Sequence, residues 1–134
     1  MSRLVDDLEP ATRARCKALL TLLAARGLEV MLLDTLRTAQ EQNALYAQGR
    51  TIPGRIVTKA RAGFSWHNFG RAFDLCFLEA GRAVWSGPWS EVGPAGEALG
   101  LEWGGRWTFR DEGHFEYHPG LTLEEARAAA TLEC

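Results

Sequence analysis

No stretch of the sequence stays apolar for long enough to span a membrane, which argues against an integral membrane protein. The N-terminal MSRLVDDLEP lacks the apolar segment of a secretory signal, so that export route is not expected. Cysteine is scarce. Cys16, Cys76 and Cys134 are odd in number and scattered, and they form neither a disulfide framework nor a CxxC metal signature. Cys16 and Cys76 fall in apolar segments and are expected to be buried thiols, which suits a reducing compartment. Positive charge is not in excess either. A net charge of −2 argues against a dedicated nucleic-acid binder. Repeats, low-complexity tracts and linkers are missing, so the 134 residues are expected to form one domain. A chain of this size buries a core without needing disulfides.

One local exception stands out in the charge pattern. Residues 50–61 carry Arg50, Arg55, Lys59 and Arg61 with no acid. They read either as a solvated loop or as a basic rim that attracts an anionic substrate.

The residues that are present sort into short elements. Residues 10–26 predict a helix, with Pro10 in its first turn, Leu19, Leu20, Leu22 and Leu23 on an apolar face, and Gly27 as the stop. LEVMLLD, 28–34, predicts a short buried strand, and Arg37 follows it. Thr38 and Glu41 form a capping-box pattern for a helix that Gly49 closes. Residues 50–66, with Pro53, Gly54 and Gly63, read as a long loop of the functional kind. RAFDLCF, 71–77, alternates as a central strand does, and EAGR turns it into a partner strand, AVW. Residues 89–99 are helix-like, but Pro94 predicts either a later start or a broken first turn. LEWGGRW predicts a strand and turn, HFEY another strand, and Thr122 with Glu125 the cap of a last helix. The sum is an α+β fold, a small mostly antiparallel sheet with flanking helices.

The chemistry concentrates in SWHNFGRAFDLCF, residues 65–77. Strand alternation puts Phe73, Leu75 and Phe77 on one face and Asp74 on the other, towards a cleft. Gly70 lets the chain turn so that His67 folds back towards Asp74. A second cluster, Asp111-Glu-Gly-His114-Phe-Glu116, lies farther along. His67, Asp74 and His114 together make a catalytic zinc set, with three protein ligands and a fourth position for water. Zinc lowers the pKa of such a water to about 7 and polarises a carbonyl, but a base must still handle the proton. Asp111 is placed to be that base, and Arg37 to stabilise an oxyanion.

The pattern alone equally admits a purely structural reading. In it His67 caps a loop, Asp74 pairs with Arg71, and His114 is a satisfied core histidine. Glu116 shares the face of His114, either as an acceptor for a ligand histidine or as an exposed acid. His118 follows His114 at a ligand spacing only in a helix, and Pro119 argues against one. Trp66, Trp103 and Trp107 suit either a substrate groove or packing.

Ser65-x-His67-x-x-Gly70-x-Ala72-x-Asp74, followed by Asp111-x-x-His114, resembles the zinc peptidases of the D-alanyl-D-alanine carboxypeptidase/dipeptidase superfamily. The stretch from Leu36 to Leu75 and the LEWGGRW…DEGHFE block look most like phage endolysins that are L-alanyl-D-glutamate peptidases. The resemblance covers nearly the whole chain and implies a Hedgehog/DD-peptidase-like fold. It implies His67, Asp74 and His114 as Zn2+ ligands, Asp111 as general base and acid, and Arg37 as oxyanion and substrate contact. It also implies Ser65 as a substrate-binding residue, and places Gln42 and Tyr46 on the helix of the same block, either as substrate-binding residues lining the cleft or as packing and hydrogen-bonding residues.

The implied partner is the stem peptide of bacterial peptidoglycan, cut by a monomer without a separate wall-binding domain. An endolysin of this kind accumulates in the host cytoplasm and reaches the wall later. Two departures from the pattern are Glu112-Gly113, where a bulkier pair is expected, and Pro94 in a helix the family keeps regular. The rival functions are a D,D-carboxypeptidase on the same scaffold and a non-catalytic binding module stapled by zinc.

Overall fold

Glu9 opens the first helix, α1 (Pro10–Ala25), because its carboxylate accepts from the free N–H groups of Ala11 and Thr12. The computed structural model describes residues 1–133, so Cys134 lies outside the described residues. Strand β1 (Val30–Leu32) follows, then helix α2 (Ala39–Ala47), which begins with the Thr38–Glu41 capping box. A long irregular segment leads to a 3-10 turn, Trp66–Phe69, and the eight-residue strand β2 (Ala72–Glu79). After it come β3 (Arg82–Val84), α3 (Trp89–Ala98), β4 (Glu102–Trp103), β5 (His114–Glu116) and α4 (Leu123–Glu133).

The sheet runs β1-β2-β5-β4, with β3 on the far end of β2, and every pairing is antiparallel. Alternation along β2 sends Phe73, Leu75 and Phe77 into the core. There they meet Cys16, Leu19 and Leu23 of α1 and Trp89, Val92 and Ala95 of α3. Phe73 and Phe115 stack with centroids 5.6 Å apart across the β2–β5 pair. The opposite face carries Asp74 paired with His114, and Ala72 paired with Glu116. The core therefore occupies one side of the sheet and the polar residues are presented on the other. Cys16 is a fully buried free thiol, as expected, and burial pushes its pKa up to about 12.

Three features differ from the sequence expectation. Strand β1 is shorter than 28–34 because Leu33 and Asp34 both face Asp74. The N–H of Leu33 donates to the Asp74 carbonyl at 2.8 Å, and the N–H of Asp74 donates to the Asp34 carbonyl at 3.0 Å. Two residues against one is the arithmetic of a β-bulge, which bends the strand and re-aims the residues after it.

Helix α3 starts at Trp89 and runs through Pro94. Its Trp89, Val92 and Ala95 are buried against the sheet, and that packing outweighs the one hydrogen bond proline removes.

The third difference concerns Gly113. A Cβ there would lie 2.3 Å from the Leu75 carbonyl oxygen. The glycine lets β5 close on β2, and the Leu75 N–H donates to the Gly113 carbonyl at 2.8 Å. Gly113→Ala is expected to force the strands apart and cost about 1–3 kcal/mol, seen as a lower urea midpoint.

Candidate metal centre

His67 is delivered by the Trp66–Phe69 turn. The Ser65 hydroxyl accepts from the His67 N–H, and Gly70 ends the turn at φ +66°, a left-handed conformation suited to glycine. The bulge after β1 brings the Thr35 carbonyl to 2.9 Å from His67 Nδ1. Nδ1–H donates to that carbonyl, which leaves Nε2 as the ring atom that faces Asp74 Oδ2, at 3.2 Å. The other Asp74 oxygen, Oδ1, lies 3.1 Å from His114 Nδ1. His114 Nε2 in turn lies 2.8 Å from Glu116 Oε1. The ligand atoms of His67, Asp74 and His114 all fall within 4.8 Å of one another.

The electrostatics of the cluster favour positive charge. Burial alone would raise the Asp74 pKa, but hydrogen bonds to His114 and His67 hold it well below the usual carboxylate range. Burial opposes charge on His114 as well, yet its bonds to Asp74 and Glu116 raise it to about 10. A divalent cation answers the same demand as those protons, and its binding displaces them. Two imidazole nitrogens and a carboxylate, with both imidazoles already engaged on their other edges, fit a metal ion.

The trio opens onto a cleft of about 450 Å³ whose lining includes Arg37, Ser65 and Asp111. Val57, Phe64, Trp66 and Trp107 form its apolar walls. Burial pushes the Asp111 carboxyl up; the His114 charge opposes the rise, the Asp74 charge adds to it, and the His67 and Arg37 charges oppose it more weakly. Its place in the cleft lining beside His67, Asp74 and His114 is the position of a general base. Arg37 is steadied from behind: Nη1 donates to Gln42 Oε1 at 2.9 Å and Nη2 to Asp34 Oδ2 at 3.3 Å.

Several expected residues take other places. Gln42 is fully buried, so it is no substrate contact; it holds Arg37 and donates to the Ala60 carbonyl at 2.6 Å. Tyr46 is absent from the cleft lining, and its ring lies 3.9 Å from the Arg50 guanidinium. Trp103 belongs to the core, its indole N–H donating to the Glu112 carbonyl at 2.7 Å. Arg71 pairs with Glu9 at 3.0 Å rather than with Asp74, which removes the ion pair the structural reading required.

Asp34 and the Thr35 carbonyl were not legible as site groups. Asp34 sits close to Arg37 in sequence, a weak signal, and a backbone carbonyl gives none.

Comparison with known proteins points the same way. Residues 6–87 and residues 58–117 each match a family model described as D-alanyl-D-alanine carboxypeptidase. Peptidoglycan L-alanyl-D-glutamate endopeptidase CwlK of Bacillus subtilis (strain 168) is 38% identical, over 85% of this chain and 75% of that protein. The L-alanyl-D-glutamate peptidase of Listeria phage A118 is 29% identical over 85% of this chain, which spans 39% of the phage protein. Among solved structures, the Serratia marcescens L-Ala D-Glu endopeptidase ChiX superposes with a TM-score of 0.60 at 20% identity. That match covers 85% of this chain and 83% of the ChiX chain, and it bears on the fold alone.

Proposed function

Because the chain belongs to the D-alanyl-D-alanine carboxypeptidase family, we propose that it is a zinc peptidase cutting the L-alanyl-D-glutamate bond of peptidoglycan stem peptides. The observation that carries this reading is the convergence of His67, Asp74, His114 and Asp111 at one cleft. The choice of bond rests on the two relatives named for L-alanyl-D-glutamate cleavage.

His67 Nε2, an Asp74 oxygen and His114 Nδ1 would hold the ion. Zinc bound there would acidify a water and polarise the scissile carbonyl. Asp111 takes a proton from the water as it adds to the L-alanyl carbonyl carbon. Arg37, fixed by Asp34 and Gln42 in the cleft lining, is the cation that would stabilise the oxygen on which negative charge builds. When the C–N bond breaks, Asp111 returns its proton to the D-glutamate nitrogen. Trp66 and Trp107 give the cleft apolar walls for the stem peptide to pack against.

The basic loop supplies a wall of the same cleft through Val57, Thr58 and Ala60. Arg55 and Arg61 of this loop are exposed. We assign the two arginines to attraction of the stem peptide's carboxylates. Charge reversal of both is expected to raise KM severalfold with kcat little changed, and more so at low salt. Unchanged kinetics would reduce the loop to a solvated surface.

Mass spectrometry of purified peptidoglycan after digestion tests the bond choice. New D-glutamate amino termini are expected; release of free D-alanine would favour the D,D-carboxypeptidase instead.

A further inference from the structure

Glu116 is a carboxylate with 6% of its surface exposed, yet no step of the proposed reaction uses it. Its Oε1 lies 2.8 Å from His114 Nε2, and its Oε2 is in contact with His118 Nε2. The His118 ring lies flat on Trp66, with centroids 4.0 Å apart and planes 6° apart. Trp66 is itself a cleft wall. A continuous file, His114–Glu116–His118–Trp66, therefore joins a ligand residue to the wall of the cleft.

A buried carboxylate between imidazoles gains little net stability over an apolar replacement. Its orienting effect is specific, however. An imidazole has two nitrogens, and the one that donates to an acceptor leaves the other free as a ligand. The register assists: Glu116 faces the small Ala72 across β2, so its side chain has room to lie beside His114.

We propose that Glu116 is a positioning residue for His114, fixing its Nε2–H so that Nδ1 faces Asp74 and the ion. His118, stacked on Trp66, holds Glu116 in turn. This inference rests on the zinc reading above. The same glutamate also belongs to a second candidate group, Glu102, Glu116 and His118, whose ligand atoms lie within 4.8 Å of one another. That alternative use of Glu116 is one outcome of the test.

The test is zinc affinity by competition with a chromophoric chelator on the full chain, beside the melting temperature of the zinc-stripped protein. Glu116→Ala is expected to weaken zinc about 10–100-fold. Glu116→Gln, which keeps an acceptor for Nε2–H, is expected to recover most of that loss. Glu116→Asp withdraws the carboxylate from Nε2 and is expected to weaken zinc also, which keeps the test open if the alanine variant does not fold. His118→Ala is expected to give a smaller loss.

Zinc affinity equal to wild type in the folded Ala or Asp variant overturns the proposal, and so does an equal loss in the Gln and Ala variants. A second equivalent of zinc that His118→Ala abolishes would assign Glu116 to a second cation site and overturn it too. A wild-type protein that binds no zinc defeats the zinc reading and this one with it, whereas normal wild-type binding with unaltered variants defeats this one alone.

Discussion

Asp111→Asn is expected to lower kcat about 10²–10⁴-fold while zinc content stays at the wild-type level. Asparagine keeps the shape of the side chain but neither accepts a proton from water nor returns one to the leaving nitrogen. Asp111 lines the same cleft as His67, Asp74 and His114 without belonging to their group. The loss should therefore fall on kcat, with KM nearly constant. Steady-state cleavage of a defined muropeptide, with zinc measured on the same preparation, checks both halves. Near-wild-type turnover would place the proton elsewhere, and loss of zinc would make Asp111 a ligand.

His114→Ala should have the broadest effect, abolishing stoichiometric zinc binding and hydrolysis together. The imidazole meets Asp74 on one edge and Glu116 on the other, so its removal strips a partner from two buried or half-buried carboxylates. Asp74 keeps His67, and Glu116 keeps His118, which limits the damage. A stability loss of about 1–3 kcal/mol is expected, measured by urea unfolding of zinc-stripped samples. Full hydrolysis by a folded His114→Ala protein would remove the metal from the mechanism.

Much of this architecture was legible in the chain because local rules agreed with the fold. Pro10 and the Thr38–Glu41 box mark helix starts that the structure keeps. Alternation through Ala-Phe-Asp-Leu-Cys-Phe separated the core face of β2 from the face bearing Asp74. What alternation does not give is pairing. The register that sets Asp74 opposite His114 joins strands 40 residues apart in sequence.

The bulge at Leu33–Asp34 was equally hidden. It comes from how β1 meets β2, not from any residue type, and it places the Thr35 carbonyl on His67. Gln42 shows a further limit. A motif position can matter by holding a neighbour, and only burial distinguishes that from touching a substrate. Trp103 and Pro94 make the same point from the core side. Packing on the sheet decided both, and packing is a property of distant partners.

Anomalous diffraction at the zinc edge, from crystals of the zinc-loaded protein, tests the central claim most directly. The expected result is a single strong peak about 2.0–2.2 Å from His67 Nε2, His114 Nδ1 and one Asp74 oxygen. A peak seated elsewhere, for instance between Glu102 and His118, or no ordered peak in the cleft, would contradict it.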